Sequence, residues 1–145
     1  FLWLAVLFAL SGQLNELGFM GYAGQRLAAQ LGGMSWPITY VLLVVIYVAI
    51  HYMFVSQSSQ VLALLGVFLD VGIRGGVPAP LMAFALLFAS SYFSVLTPQG
   101  GSQNVIFVGA GYLSQRELYL LGLAITLFFM VVFLTLGTAW IMLVA

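Results

Sequence analysis

The chain has 145 residues, of which 64% are hydrophobic and 4% charged, and three basic residues balance three acidic ones. Soluble domains carry about 25% charged residues. This composition therefore excludes an ordinary soluble domain and, with a mean hydropathy of +1.21, predicts a membrane protein. A net charge of zero offers no basic surface for a nucleic acid. Because the sequence has no cysteine, it also excludes disulfides and thiolate metal sites.

The N-terminal part holds two predicted helices of different kinds. Residues 1–17 are apolar up to a polar exit at Glu16, but they are fewer than the roughly 20 residues that a bilayer core requires. This stretch lacks the basic start of a signal peptide. It predicts a transmembrane helix truncated upstream, in a fragment that begins at Phe1 instead of a methionine. Residues 18–35 mix Arg26 and other polar side chains with apolar ones, a pattern typical of an amphipathic helix in the membrane interface.

A re-entrant helical hairpin is predicted over residues 36–73. Trp36 at the headgroup level and the proline after it favour the start of a membrane helix. Five adjacent polar residues, SQSSQ at 56–60, interrupt this helix and form the predicted tip. The second arm, Val61–Val71, is apolar for about 11 residues, which cover about 16 Å of helix. That length is about half of the hydrocarbon core, so the second arm is too short to cross the membrane.

A broken transmembrane helix is predicted over residues 79–112. Its apolar run stops at TPQGGSQN, residues 97–104, where a proline and two glycines disrupt the hydrogen bonds of a helix. Unpaired backbone at membrane depth is tolerated only where protein or a water-filled cavity satisfies it. Residues 116–145 carry no charge from Leu118 onward, which predicts a final transmembrane helix.

Two polar interruptions at membrane depth indicate the binding site of a secondary transporter. Helices are expected to begin again near Ser58 and near Val105. Helix N-termini offer free N–H groups and a positive dipole end to an anion, whereas unwound carbonyls and side-chain oxygens suit a sodium ion. The pattern therefore predicts a substrate site where the hairpin tip meets the break at 97–104.

Several motifs resemble those of one known family. The runs HYMFVS at 51–56, SQS at 56–58, TP at 97–98 and NVIFVGAGYL at 104–113 are similar to the second half of the divalent anion:sodium symporter family. This family includes bacterial dicarboxylate, citrate and tartrate carriers, and the resemblance covers nearly the whole chain in order. The resemblance implies that the chain is the C-terminal repeat of an elevator-type secondary transporter, which is built from two inverted repeats. It also implies that this transporter forms homodimers in the bacterial inner membrane.

The resemblance also implies site residues. Gln57 stands where sodium-coupled members carry Asn, Ser58 stands where they carry Thr, and a QGGS stretch lengthens the loop after Pro98. Sodium symport and exchange of one carboxylate for another therefore both stay open, with a sodium ion as the candidate coupling ion and no other cofactor. By motif position, the substrate-binding residues are Ser56, Gln57, Ser58, Thr97, Pro98 and Asn104, and the ion-binding residues are Val55, Gln57, Leu96 and Thr97.

Other polar residues have structural interpretations. The serines of the tip can bond the carbonyl of the preceding turn or allow close helix packing. His51 is interpreted as a structural histidine with a hydrogen-bond partner, although it is the one side chain of the chain that titrates near neutral pH. Asp70 and Arg74, spaced i,i+4, predict a solvated ion pair at the hairpin mouth. The remaining charges are interpreted as interface anchors: Glu16, Arg26, Arg116 and Glu117.

The sequence predicts a carrier and not an enzyme. It has no residue cluster with metal-ligand spacing, no glycine-rich nucleotide motif and no acidic pair for acid–base catalysis. We expect the C-terminal half of a multi-pass transporter for dicarboxylates or tricarboxylates of the succinate, citrate or tartrate type. Its expected partners are a small carboxylate, the lipid bilayer, the N-terminal repeat and a second subunit. The alternatives are a related ion or oxyanion antiporter and a non-transporting membrane scaffold.

Overall fold

A computed structural model describes most of the chain from residue 33 onward. It covers residues 33–51, 54 and 57–144, with only the backbone of Gln99 and Ser102, and upstream it covers residues 13, 16–18, 22, 26, 27 and 29–31. The described residues form helices and turns and contain no strand, which confirms the predicted all-α class. Most of the two helices predicted over 1–17 and 18–35 lies outside the described residues.

The described part consists of short helices followed by one long helix. In chain order they are α1 Trp36–Ile50, α2 Gln57–Arg74, α3 Ala79–Phe93, a 3-10 turn Pro98–Gly100, α4 Ser102–Gly109, α5 Gln115–Val132, a π-helical stretch Phe133–Gly137 and α6 Thr138–Val144. The sequence places the first polar interruption at 56–60, whereas α1 already ends at Ile50. The second half of the broken helix is expected to begin near Val105, but α4 begins three residues earlier.

Glycines with positive φ end two of these helices. After α2, Gly76 has a φ of 82°, its N–H bonds the Ile73 carbonyl, and the N–H of Val77 bonds the Gly72 carbonyl. This pair of bonds is the Schellman motif, which satisfies the last carbonyls of a helix and favours glycine in the left-handed region. Gly111 ends α4 with the same pattern at a φ of 77°.

The core lies where α1, α2 and α3 meet. Its centre is Tyr47 of α1, whose ring centroid lies 5.2 Å from that of Phe68 on α2 and 5.6 Å from that of Phe93 on α3. The buried positions of α1 recur three and four residues apart, which places them on one face of the helix. Gly72 of α2 lets α3 approach closely, because an added Cβ would lie 2.7 Å from Met82 Cγ. The three helices therefore form one compact layer.

The long C-terminal helix lies against this layer. Together α5, the π-helical stretch and α6 run over 30 residues, Gln115–Val144, and among the described residues they form the one helix long and apolar enough to cross a membrane. A capping box fixes the start of α5, because the Ser114 side chain accepts from the Glu117 N–H and the Glu117 carboxylate accepts from the Ser114 N–H. Most of the large apolar side chains of this helix are exposed, which fits contact with lipid or with further protein.

Hydroxyl groups support the π-helical stretch Phe133–Gly137. The Thr138 hydroxyl donates to the Phe133 carbonyl at 3.2 Å, and its oxygen also lies 2.9 Å from the Tyr40 hydroxyl of α1. The Thr135 hydroxyl donates to a carbonyl of the preceding turn at 2.7 Å. The contact between Tyr40 and Thr138 therefore joins the first hairpin arm to the final helix at the place where that helix is irregular.

Gly122 of α5 packs directly against the chain between α3 and α4. A Cβ added there would overlap the Val95 carbonyl oxygen and would lie 3.1 Å from Leu96 Cα. These neighbours are backbone atoms, so they cannot rotate away as a side chain would. The close approach therefore requires a glycine at this position.

We expect Gly122→Ala to lower the stability of the full-length protein, since crowding of a packed contact costs roughly 1–3 kcal/mol. The measurement is the thermal unfolding midpoint in detergent. Gly66→Ala is the matched control, because nothing lies within 4 Å of an added Cβ at Gly66 of α2. The control gains about 1 kcal/mol of helix propensity and keeps or raises the midpoint. Equal midpoints for the two variants contradict the close packing.

Candidate functional site

The residues predicted for the hairpin tip lie at the start of α2. Gln57 is the first residue of this helix and is partly buried, and Ser58 is exposed. Val55 and Ser56 lie outside the described residues. The first turn of α2 is therefore the described part of the tip. Of the residues predicted to bind substrate, it contains Gln57 and Ser58.

The residues predicted for the break lie between α3 and α4. Leu96 and Thr97 are buried, with exposures of 1% and 0%, and Pro98 begins the 3-10 turn. The Gly100 N–H donates to the Thr97 carbonyl at 3.1 Å, which closes this turn. The chain therefore leaves the helical path after Phe93, the last residue of α3, and returns to it at Ser102.

Asn104 connects the two sides of this break. It belongs to α4, and its side-chain amide donates to the Ser94 carbonyl at 2.8 Å and to the Thr97 carbonyl at 2.9 Å. Ser94 directly follows α3, so its carbonyl has lost the partner that a continuing helix would provide. Asn104 supplies the missing donor, and both of its amide hydrogens are used within the protein. These two bonds tie the first turn of α4 to the chain that follows α3.

A buried hydrogen-bond network joins the hairpin to the break. His51 caps the C-terminus of α1 and is 0% exposed, and its Nδ1 lies 2.8 Å from Oε1 of Gln60, which is also 0% exposed. The Gln60 amide nitrogen donates to the Tyr47 carbonyl at 2.6 Å. On its other side, His51 Nε2 lies 3.5 Å from the Thr97 hydroxyl oxygen. The two arms of the hairpin are thus bonded to each other and contact the break through one imidazole ring.

Two neighbours fix the position of this ring. The rings of His51 and Phe93 stack with their centroids 4.3 Å apart and an interplanar angle of 26°. On the far side, an added Cβ at Gly100 would lie 2.7 Å from His51 Nε2 and 3.0 Å from the Thr97 hydroxyl oxygen. Gly100 therefore leaves the space in which the His51 ring and the Thr97 hydroxyl meet.

The network contains residues that the sequence analysis does not place in the site. His51 has the buried, hydrogen-bonded structural role that the sequence predicts. Gln60 belongs to the predicted polar tip, but the sequence gives no sign that it pairs with His51 across nine positions. Gly100 is one of two adjacent glycines in the predicted break, and only the packed structure distinguishes it from Gly101.

The charged residues of the described region lie away from this network. The Arg74 Nε atom donates to the Asp70 carboxylate at 2.8 Å, and the two side chains are 68% and 60% exposed. This geometry confirms the predicted solvated ion pair. Within the described ranges no group of three or more His, Cys, Asp or Glu side chains could hold a metal ion.

An apolar groove on the outer side of the bundle is a poor candidate for a polar ligand. It has a volume of about 580 Å³ and lies between α3 and the final helix. Its lining includes Phe88, Phe133, Trp140 and Ile141, and it contains no charged side chain. Such a surface fits a lipid chain or another apolar segment. The polar network at the break is therefore the candidate site for a polar ligand.

The all-α fold of the described residues and the long apolar helix fit an α-helical integral membrane protein. The sodium:sulfate symporter transmembrane region matches the chain over residues 1–145. The chain belongs to this family of membrane transporters, as the motifs in the sequence predict. The family and the names of the relatives are those of transporters and not of enzymes, which confirms the prediction that the chain is not part of an enzyme.

The chain is similar to several transporters of known name. Dicarboxylate transporter 2.1 of Arabidopsis thaliana, a chloroplast protein, is 34% identical over 140 residues, or 95% of this chain and 25% of that protein. Dicarboxylate transporter 2 of spinach chloroplasts is 32% identical over 140 residues, or 95% of this chain and 25% of that protein. The L-tartrate/succinate antiporter of Escherichia coli strain 536 is 31% identical over 141 residues, or 97% of this chain and 29% of that protein. The chain thus spans about a quarter of the length of the relatives it matches.

We expect Gln60→Leu to destabilise the full-length protein, because it leaves His51 Nδ1 and the Tyr47 carbonyl without the partners described above. Each buried polar group left unpaired costs about 1–3 kcal/mol. The measurement is the thermal unfolding midpoint in detergent. Gln103→Leu is the matched control, since the Gln103 side chain is exposed on α4. A midpoint for Gln60→Leu that equals the control's contradicts the importance of the network.

Proposed function

We propose that this chain is the C-terminal repeat of a secondary-active transporter that carries dicarboxylates or tricarboxylates across a membrane. Its family and the names of its relatives, which are dicarboxylate transporters and a tartrate/succinate antiporter, support this substrate class. We assign the transporter to the bacterial inner membrane, because one of its relatives is a bacterial protein. The complete transporter also has an N-terminal repeat and a second subunit, and it moves its substrate by an elevator mechanism. The resemblance of the motifs to the family supports these three features.

One observation carries the proposal, namely the contact between the two places where helices are interrupted. His51 at the end of α1 bonds Gln60, the last residue of the tip, and His51 Nε2 lies 3.5 Å from the Thr97 hydroxyl oxygen in the break. The hairpin lies as a re-entrant element against a broken transmembrane helix, and the two interruptions share one site. Irregular backbone at membrane depth is stable in such a place because protein groups satisfy it.

The helix starts at this site suit a carboxylate. The helix α2 begins at Gln57 in the tip, and α4 begins at Ser102 in the break. The positive ends of the two helix dipoles attract an anion. We assign one substrate carboxylate to Ser56, Gln57 and Ser58 at the tip, and we assign the adjacent part of the substrate to Thr97, Pro98 and Asn104 at the break. The N-terminal repeat supplies the groups for the second carboxylate.

Oxygen atoms at the same place suit a coupling ion. A sodium ion at this site takes carbonyl and side-chain oxygens from Val55 and Gln57 at the tip and from Leu96 and Thr97 at the break. The family name, sodium:sulfate symporter, supports sodium as the coupling ion. The antiporter among the relatives supports exchange of one carboxylate for another. The substitution of Gln for Asn at position 57 lengthens the side chain by one methylene, and it favours exchange.

The family name also supports a second candidate substrate, a divalent oxyanion such as sulfate. Sulfate and succinate both carry two negative charges, but sulfate needs a smaller site. Competition separates the two substrates. Excess unlabelled succinate, and not sulfate, blocks the uptake of labelled succinate if the carboxylate is the substrate.

We expect Gln57→Ala in the full-length protein to reduce the uptake of labelled succinate into membrane vesicles by tenfold or more. It removes a polar contact at the tip, and truncation of a contact with a charged group costs about 1.5–3 kcal/mol. Gln115→Ala is the matched control, because Gln115 is exposed at the start of α5, away from the site. Both variants are expected in the membrane at the wild-type level. Wild-type uptake by Gln57→Ala contradicts the assignment of the tip.

Ion replacement separates symport from exchange. We expect vesicles loaded with unlabelled succinate to take up labelled succinate at an unchanged rate when choline replaces sodium, because the longer side chain of Gln57 favours exchange. Empty vesicles are expected to take up little label in either salt. Uptake into empty vesicles that requires sodium establishes symport instead. No uptake in any of these four conditions removes the carrier function and leaves the scaffold alternative.

A further inference from the structure

We propose that His51 is a positioning residue, which fixes the direction of the hydrogen bond at Thr97 and thereby makes the Thr97 hydroxyl an acceptor toward the transported ligands. The inference rests on the proposed function, because it assigns a task to Thr97 within the substrate and ion site. It goes beyond that function in giving a role in transport to a histidine that is not among the binding residues assigned above.

The first step is the orientation of the Gln60 side chain. A backbone carbonyl only accepts hydrogen bonds, so the Gln60 amide nitrogen faces the Tyr47 carbonyl, from which it lies 2.6 Å. The other end of the amide, Oε1, then faces His51 Nδ1 at 2.8 Å. Since this oxygen is also only an acceptor, His51 Nδ1 carries a hydrogen and donates it to Gln60.

The second step follows from the chemistry of imidazole. A neutral imidazole carries one hydrogen, so a ring that is protonated at Nδ1 has a lone pair at Nε2. His51 Nε2 faces the Thr97 hydroxyl oxygen at 3.5 Å, which is longer than the about 2.7–3.2 Å of a typical hydrogen bond. Both residues are 0% exposed, and a lone pair at Nε2 can only accept a hydrogen from this hydroxyl. The Thr97 hydroxyl therefore directs its hydrogen toward His51.

The His51 ring is held in a fixed orientation by its neighbours. The His51 ring stacks on Phe93 with centroids 4.3 Å apart, and its Nε2 lies against Gly100, where no Cβ would fit. The ring therefore cannot turn over without displacing α3 or the 3-10 turn. Gln60 holds the tautomer and these neighbours hold the ring plane, so the direction of the bond at Thr97 is set before a ligand arrives.

The bond to His51 determines which hydrogen-bonding groups of Thr97 remain for a ligand. A hydroxyl has one hydrogen to donate and two lone pairs that accept. With its hydrogen directed at His51, Thr97 offers only lone pairs to the ligands. These suit a sodium ion or a hydroxyl group of a substrate, whereas a carboxylate oxygen needs donors. The arrangement assigns the carboxylate to the tip and to the helix N-termini, and it assigns the cation or substrate hydroxyl to Thr97.

The tautomer can be measured without any transport. Full-length protein labelled with ¹⁵N-histidine gives the His51 signals by difference from His51→Asn. We expect a neutral ring protonated at Nδ1, with an unprotonated Nε2 signal that shifts in Thr97→Val and stays in place in Thr97→Ser, which keeps the hydroxyl. Protonation at Nε2, or an Nε2 signal that is the same in Thr97→Val, overturns the inference. If Thr97→Val does not fold, the tautomer of His51 in the wild type and in Thr97→Ser still tests the inference.

Transport kinetics test the role in function. His51→Asn places an amide near the Nδ1 position and keeps a donor for Gln60, whereas His51→Gln places one near the Nε2 position and keeps a partner for Thr97. We expect His51→Asn to raise the half-saturating concentration of sodium or tartrate about fivefold, the worth of one hydrogen bond, and His51→Gln to raise it less. In a Thr97→Val background, His51→Asn is expected to cause no further rise.

Losses that multiply in the double variant overturn the positioning role, because they show that His51 and Thr97 act independently. A larger loss in His51→Gln than in His51→Asn also overturns it. The two proposals fail in different ways. Absence of carboxylate flux in the wild type removes the proposed function, and the nitrogen spectrum then decides the inference about His51 alone.

Discussion

Burial of polar groups in an apolar fold is the constraint on which this structure depends. In a chain that is 64% hydrophobic, the polar side chains of the tip and the break have few partners other than each other. His51 and Gln60 satisfy one another at 2.8 Å, and Gln60 also satisfies the Tyr47 carbonyl. A buried polar group without a partner costs about 1–3 kcal/mol. The hairpin therefore closes on this pair, and the closed hairpin places His51 against the break.

The break has its own satisfied bonds, which make an irregular segment a stable one. Asn104 donates to two carbonyls on the far side of the interruption, and Gly122 lets the final helix cover Val95 and Leu96 closely. The segment between α3 and α4 is thus fixed by the hydrogen bonds of Asn104 and by close packing against α5. Helix ends on a rigid support present their N–H groups in a fixed geometry, which lowers the cost of binding an anion. This rigidity supports the proposed binding of a small carboxylate at the break.

Much of the fold could be predicted from the sequence, because in membranes it follows from length and polarity. The polar run at 56–60 and the TPQGGSQN stretch mark the two interruptions, and the all-α class follows from the composition. The helix boundaries depend on side chains that reach across the fold. Asn104 in the first turn of α4 bonds the carbonyls of Ser94 and Thr97, and no local pattern reveals these bonds. Similarly, the π-helical stretch depends on Thr138 and its contact with Tyr40, 98 positions away.

The most direct test of the account is a cryo-electron microscopy map of the full-length protein in a lipid nanodisc with bound succinate. The account predicts density for the ligand between Gln57 and Thr97, near the middle of the bilayer, with His51 bonded to Gln60 beside it. A continuous helix through residues 51–57 or 93–102 would contradict the account. Ligand density that lies away from both interruptions would contradict it equally.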